Sequence, residues 1–286
     1  MDFFKSVHYS GYSSIVIVLL IFFFYFQNNS IVTSTYTIKS DKLPNNFNGY
    51  KIVQLSDLHS KSFGNNQSDL VKKVKKIEPD LIVFTGDLID SDRYEEKPSL
   101  ILMERLVQIA PVYYVTGNHE WWSGKFNTLE EKLKSIGVQV MRNTAKEIAI
   151  GTEKIQLIGI DDPANVDESY VEGAKMEENI TNSIKGINEE TNYQILLSHR
   201  PERFYLYSEY GFDVVFSGHA HGGQFRIPFV GGLIAPDQGL FPKYTSGKYK
   251  SDNTTMIVNR GLGNSIIPFR IFNRPEIVVV ILSSGK

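Results

Sequence analysis

The chain has 286 residues, 42% hydrophobic and 22% charged, with a formal net charge of −2, a pI near 6.3 and no cysteine. The absence of cysteine rules out disulfides and thiolate metal sites, and the near-neutral charge supplies no basic footprint for nucleic acid. Ordinary hydrophobicity over this length excludes disorder and suits one large α/β domain behind a short N-terminal segment.

The first element is an unbroken apolar run, IVIVLLIFFFYF at residues 15–26, inside a charge-free window of 18 residues from Tyr9 to Phe26. That is near the lower limit for a helix crossing a bilayer. Its circumference offers no polar side, which argues against a core helix. The expectation is a hydrophobic N-terminal helix within residues 1–31, serving as a transmembrane anchor or signal segment. Gln27-Asn28-Asn29-Ser30 contains no small-x-small cleavage site, which favours an uncleaved anchor. Lys5 before the run and Lys39 and Lys42 after it nearly balance the positive-inside count. The expected arrangement is single-pass and membrane-anchored, with the globular part, residues 32–286, extracytoplasmic.

Residues 27–48, rich in Asn, Ser, Thr and Lys, read as a linker with one short edge strand over 32–39. From Tyr50 the pattern becomes strand, polar motif, amphipathic helix. Residues 51–55 predict a strand, 68–77 a helix, and 81–84 a buried strand after Pro79. Residues 100–108 predict a helix, 112–115 a strand, and 128–135 a helix stopped by Gly137. Residues 161–185 are acidic and predict a loop followed by a surface helix. Further strands are expected at 147–150, 155–160, 194–197, 214–216, 256–258 and 277–282. The early alternation indicates parallel βαβ units and the later strands a mixed sheet.

Five of the six histidines fall in short polar clusters. In order, the polar clusters are Asp57-Leu58-His59, Gly86-Asp87, Gly117-Asn118-His119-Glu120, Ser198-His199 and Gly218-His219-Ala220-His221-Gly222. Each follows a predicted strand, the third after Thr116. Ligands of open α/β sheets bind beyond the carboxyl ends of the strands. Asp-x-His lets two alternate side chains of an extended segment converge on one ion, and a carboxylate such as Asp87 can bridge two. Neutral imidazoles and carboxylates without thiolates suit Mn, Fe or Zn. A lone Asp-x-His or Gly-Asp is usually only a turn. The ordered conjunction at strand ends leaves unrelated turns little room.

This series, D-x-H, G-D, G-N-H-[ED], H and G-H-x-H, resembles the calcineurin-like metallophosphoesterase superfamily, in particular its bacterial branch of the YkuE and YaeI type. The stretches QLSDLHS (54–60), TGNHEWWSG (116–124), LLSHRPE (196–202) and SGHAHGGQFRIPFVGGLIAP (217–236) support it. The resemblance runs from about residue 33 to the C-terminus. It implies an α/β (α+β) fold, a four-layer α-β-β-α sandwich, with two divalent metal ions. By resemblance, Asp57, His59, Asp87 and His221 hold the first ion. Asp87, Asn118, His199 and His219 hold the second, with Asp87 the bridge and His119 the catalytic residue facing the substrate. Glu120 stands where many members have Asp, which leaves the carboxylate partner of His119 open.

The implied reaction is hydrolysis of a phosphomonoester or phosphodiester, with a metal-bridging hydroxide attacking phosphorus. The anchor raises a lipid-linked or cell-envelope substrate such as a nucleotide-lipid pyrophosphate. The alternative is a non-catalytic cell-surface metal-binding protein that retains the fold; it predicts lost ligands, and none is missing. A zinc peptidase would need H-E-x-x-H, which does not occur. Trp121 and Trp122 either line the cleft or pack. Arg200 contacts phosphate or pairs locally, and Asp161-Asp162-Pro163 is an acidic edge or a turn. Residues 222–239 read as a rim loop.

Overall fold

The computed structural model describes residues 2–165, 169–187, 193–265 and 267–285. Helix α1 (Asp2–Asn29) opens the chain. The first sheet elements are β1 (Val32–Ser40), β2 (Lys51–Leu55), α2 (Ser68–Ile77), β3 (Leu81–Thr85), α3 (Lys97–Leu106) and β4 (Val112–Val115). Then come α4 (Asn118–Trp122), α5 (Phe126–Ile136), β5 (Gln139–Val140), β6 (Thr144–Ile150), β7 (Glu153–Gly159) and α6 (Ser169–Ile184). They are followed by β8 (Gln194–Leu197), α7 (Phe204–Glu209) and β9 (Val214–Ser217). Two small hairpins follow, β10 (Arg226–Ile227) with β11 (Gly231–Gly232), and β12 (Ile234–Ala235) with β13 (Gly239–Leu240). The chain closes with β14 (Gly247–Ser251), β15 (Thr254–Val258) and β16 (Glu276–Ser284).

Two six-stranded sheets carry the architecture, in the orders β1-β16-β2-β3-β4-β5 and β14-β15-β9-β8-β7-β6. Strands β2 to β5 run parallel, as do β7, β8, β9 and β15, while β16, β6 and β14 add antiparallel pairings. Alternation along each strand decides the layers. In the first sheet Val53, Leu55, Ile82 and Phe84 face α2, α3 and α5, meeting Leu70, Val74, Leu102 and Leu129. Their neighbours Ile52, Leu81 and Val83 face the second sheet, where Ile195, Leu197, Val214 and Phe216 receive them. The far side of that sheet packs Leu196, Val215 and Met256 against Met176, Ile180, Phe204 and Tyr207 of α6 and α7. The result is helices, sheet, sheet, helices: the four-layer α-β-β-α sandwich.

Most expected elements are present, with ends shifted by a few residues; α3 begins and ends earlier than 100–108. The linker expectation is corrected. Its expected edge strand is the nine-residue β1, parallel to β16 along its whole length. The end of α1 also belongs to the packed body. Gln27 is buried, and Phe23 and Phe24 meet the rings of Phe272 and Phe269 at 5.7 and 5.4 Å. Large apolar side chains of α1 between Ile15 and Phe26 are mostly exposed. Among the described residues no helix is long and apolar enough to cross a membrane.

Candidate metal centre

The five sequence clusters converge. Loops at the carboxyl ends of β2, β3, β4, β8 and β9 carry them, and the facing sheets bring these ends to one cleft. The turns are tight enough to place non-glycine residues in left-handed backbone. Asp57, His59, Asp87, His219 and His221 all have φ between 46° and 62°. Such conformations cost on the order of 1–3 kcal/mol each and persist only where surroundings over-determine them. Gly86 (φ +87°) meets the need for space: a Cβ there would lie 2.5 Å from His199 Nδ1 and 2.7 Å from the Gly117 nitrogen.

Among the described residues four groups of side chains have ligand spacing; two adjoin through Asp87, and the others are His59 with Asp90 and His119, and Glu202 with His219 and Asp237. Asp57, His59, Asp87 and His221 present ligand atoms all within 4.8 Å of one another, and Asp87, His199 and His219 form a second such group. His59 Nε2 and His221 Nε2 are 3.0 Å apart, and His199 Nε2 lies 3.1 Å from both His219 Nδ1 and Asn118 Oδ1. Asp87 Oδ2 faces both groups, 3.2 Å from His199 Nε2 and 3.6 Å from His59 Nε2. Its other oxygen, Oδ1, accepts the His119 backbone N–H at 3.0 Å.

Imidazole nitrogens that converge on one another and on carboxylate oxygens fit divalent cations of the Mn, Fe and Zn type. Electrostatics agree. Burial alone would depress the His199 imidazolium, yet Asp87 and then Asp57 raise it to about 10. Burial works to raise Asp87, but His199 and His119 hold it well below the usual carboxylate range. At the second group the carboxylates favour positive charge, whereas burial and then His59 hold His221 of the first group well below the usual imidazole range.

Residues 50–223 match the family described as calcineurin-like phosphoesterase. The chain belongs to that family. It is 33% identical to the metallophosphoesterase YkuE of Bacillus subtilis, over 89% of this chain and 86% of YkuE. It is 28% identical to the phosphodiesterase YaeI of Escherichia coli, over 82% of each chain. A bovine transmembrane protein with a metallophosphoesterase domain is 30% identical over 88% of this chain and 57% of its own. Family membership makes the chain a metal-dependent hydrolase, and calcineurin-like phosphoesterases normally bind two divalent ions.

Around this phosphoesterase centre lie residues that the sequence did not single out. Each fixes a ring or a loop, as outer partners of metal ligands do. His199 Nδ1–H donates to the Thr85 carbonyl at 2.6 Å, turning Nε2 toward the cleft. His219 Nε2–H donates to Asp237 Oδ2 at 2.9 Å, which turns Nδ1 inward. Asp237 was detectable, as the lone charge between Ile227 and Pro242. Buried Arg200 grips both: Nη1 donates to Asp237 at 2.5 Å, while Nε and Nη2 make a bidentate pair with Asp162. Arg200 is therefore the local ion pair rather than a free phosphate ligand. Asp161 pairs with Arg142 Nε at 2.8 Å, so the Asp-Asp-Pro stretch is no acidic edge.

Glu120 does not partner His119. Its carboxylate accepts backbone N–H groups of Gly117, Asp87, Leu88 and Ile89, tying the Asp87 loop to α4. Burial and then Asp87 push its carboxyl up to about 7. His119 is oriented instead by Ser91, whose backbone N–H donates to Nδ1 at 3.0 Å. The two tryptophans divide the two roles: Trp121 packs on Phe126, and Trp122 is exposed beside His119, its ring centroid 5.3 Å away. Arg270, fully buried, donates to carbonyls of Arg260, Gly263 and Asn273, and Asn273 donates to the His221 carbonyl at 2.7 Å. These bonds hold Arg270 against Asn273, and Asn273 against the backbone of the first group.

Proposed function

We propose that the chain hydrolyses phosphoesters with two divalent ions held by Asp57, His59, Asp87 and His221 on one side and by Asp87, Asn118, His199 and His219 on the other. The observation that carries this is Asp87 Oδ2, which faces ring nitrogens of both groups. Ions bound there supply Lewis-acid polarisation of phosphoryl oxygens and lower the pKa of water. The protein does the rest. Glu120 and the His119 backbone fix Asp87, and Thr85 and Asp237 fix the tautomers of His199 and His219.

His119 is the proposed catalytic residue. Ser91 N–H occupies Nδ1, so the neutral ring carries its proton on Nε2. Burial lowers its pKa, against the pull of Asp87, and favours that neutral form. Nε2–H can then donate to a phosphoryl or leaving-group oxygen, a contribution of about 10²–10⁴ in rate if the proton is transferred.

We further propose residues 32–286 as the catalytic domain, extracytoplasmic and tethered to a membrane by the exposed apolar stretch of α1. The exposed apolar stretch of α1 supports an anchor, and the bovine relative is named as a transmembrane protein. A lipid-linked phosphoester follows as the substrate class.

The test pairs composition with activity. Elemental analysis should find two ions per chain, and Asp87→Asn should lower the occupancy of both. Two ions retained in the variant, or one ion in both proteins, would defeat the bridging role. A panel of phosphomonoesters and phosphodiesters with Mn, Zn or Fe should show turnover in the wild type only when metal is supplied.

A further inference from the structure

The loops beside the cleft carry large apolar side chains that stay exposed. Phe229, Val230, Leu240, Phe241, Phe269 and Phe272 are each at least half exposed, Phe229 completely. Soluble surfaces rarely gather large apolar tips into one patch without a partner. Phe229, Phe241 and Phe272 also adopt left-handed backbone, φ 68°, 51° and 51°. For a bulky residue that is a strained conformation.

Backbone hydrogen bonds join the loops that carry the six tips. Arg226 N–H donates to the Ile271 carbonyl at 3.0 Å, joining the Phe229 hairpin to the Phe269–Phe272 loop. Leu233 joins the two hairpins: its N–H donates to the Phe225 carbonyl at 2.8 Å, and its carbonyl accepts the Phe241 N–H at 2.9 Å. The rim then runs into α1, because Phe272 packs on Phe23 and Phe269 on Phe24. The same segments shape the site. Asp237 lies between β12 and β13 and holds His219, and Asn273 holds the backbone of His221.

What covers the rim follows from what covers α1. Residues 15–22 are eight consecutive large apolar side chains, each at least half exposed. At 3.6 residues per turn they occupy the whole circumference of the helix. A protein groove covers one side of a helix, whereas acyl chains cover all sides. Exposed Lys243, two residues after Phe241, and Arg274, over the Phe26 ring at 5.1 Å, are placed to meet phosphate headgroups.

We propose that the rim docks on a lipid bilayer, so that the metal cleft opens at headgroup level and takes phosphoesters of lipids resident in that bilayer. The substrate half rests on the phosphoesterase reading; the docking half does not.

Because the chain has no cysteine, Phe229→Cys and Phe241→Cys in the full chain can each carry one polarity-sensitive fluorophore. Lys76→Cys on α2, at the other end of the strands, is the reference. On vesicles of phosphatidylcholine and phosphatidylglycerol with brominated chains, labels at 229 and 241 should be quenched and the label at 76 should not. Replacing Phe229, Leu240 and Phe241 together with Ser should lower turnover of a phosphodiester lipid in vesicles about tenfold while a soluble aryl phosphodiester changes less than about twofold.

Unquenched labels on vesicles that carry the protein would overturn the docking. So would a blue shift without vesicles that grows with protein concentration, which would assign the rim to a second copy of this chain. An unchanged ratio of vesicle to soluble turnover would overturn the substrate half. If the wild type hydrolyses neither substrate, the phosphoesterase reading fails, and the labels still decide the docking.

Discussion

His119 and Glu120 are neighbours with separate tasks. His119 points into the cleft with Nδ1 held by Ser91, and it lies beside the ligand His59, ring centroids 4.5 Å apart. His119→Ala should therefore keep two ions and lower turnover, by about 10²–10⁴ for esters with high-pKa leaving groups and less for activated aryl esters. Uniform loss across leaving groups would point to stabilisation of phosphoryl charge instead. Loss of metal would make His119 a ligand. Glu120 acts through backbone. Its two oxygens accept four N–H groups, and an amide in its place would turn an NH₂ toward some of them. Glu120→Gln should cost about 1–3 kcal/mol for each donor left buried and unpaired. A thermal melt should show the loss, and metal titration should show weaker binding through the displaced Asp87.

At the scale of elements, the site depends on loops that leave a strand and turn within one or two residues. The loop after β3 shows the tolerance. Gly86 sits at φ +87° with His199 and Gly117 closer than any Cβ could allow. Gly86→Ala should destabilise the fold by about 1–3 kcal/mol. At about 2–4 °C per kcal/mol that is a measurable drop in Tm. It should also reduce occupancy of the ion held by His199 more than that of the ion held by His59. Equal loss at both positions would mean that the whole loop moves. The segment after Phe26 illustrates a different point. Its polar composition reads as a linker, yet β1 pairs with β16 over nine residues. The edge strand expected over 32–39 is there; what the polar composition concealed is that its pairing ties the segment into the sheet.

For the molecule as a whole, the two sheets fold separately patterned halves of the chain onto one another. The cleft forms only when both are in place, since Asp57 and Asp87 come from the first sheet and His199, His219 and His221 from the second. Ions that bridge the sheets should stabilise the folded state alone. One ion at about a hundred times its Kd should add about 2.7 kcal/mol. The corresponding rise in Tm is about 5–11 °C, reversed by a chelator. Differential scanning calorimetry with and without metal would measure it, and an unchanged Tm would mean that the groups do not hold ions in the folded protein.

The sequence by itself determined the fold class and the convergence of chemistry. Short apolar strands, amphipathic helices and five polar clusters at strand ends are local features, and each is read from neighbouring residues. It also supplied the residues that the folded chain gathers, from Asp57 to His221. What the tertiary structure alone decided is how those residues are held and which others join them. Asp237, Ser91, Arg270 and Asn273 reach the site from segments without a motif, because hydrogen bonds between distant loops leave no periodicity in a sequence. The same holds for the apolar rim. Phe229, Phe241 and Phe272 are scattered over more than 40 residues; only backbone bonds between two hairpins and a loop, and that loop's packing on α1, bring their segments together.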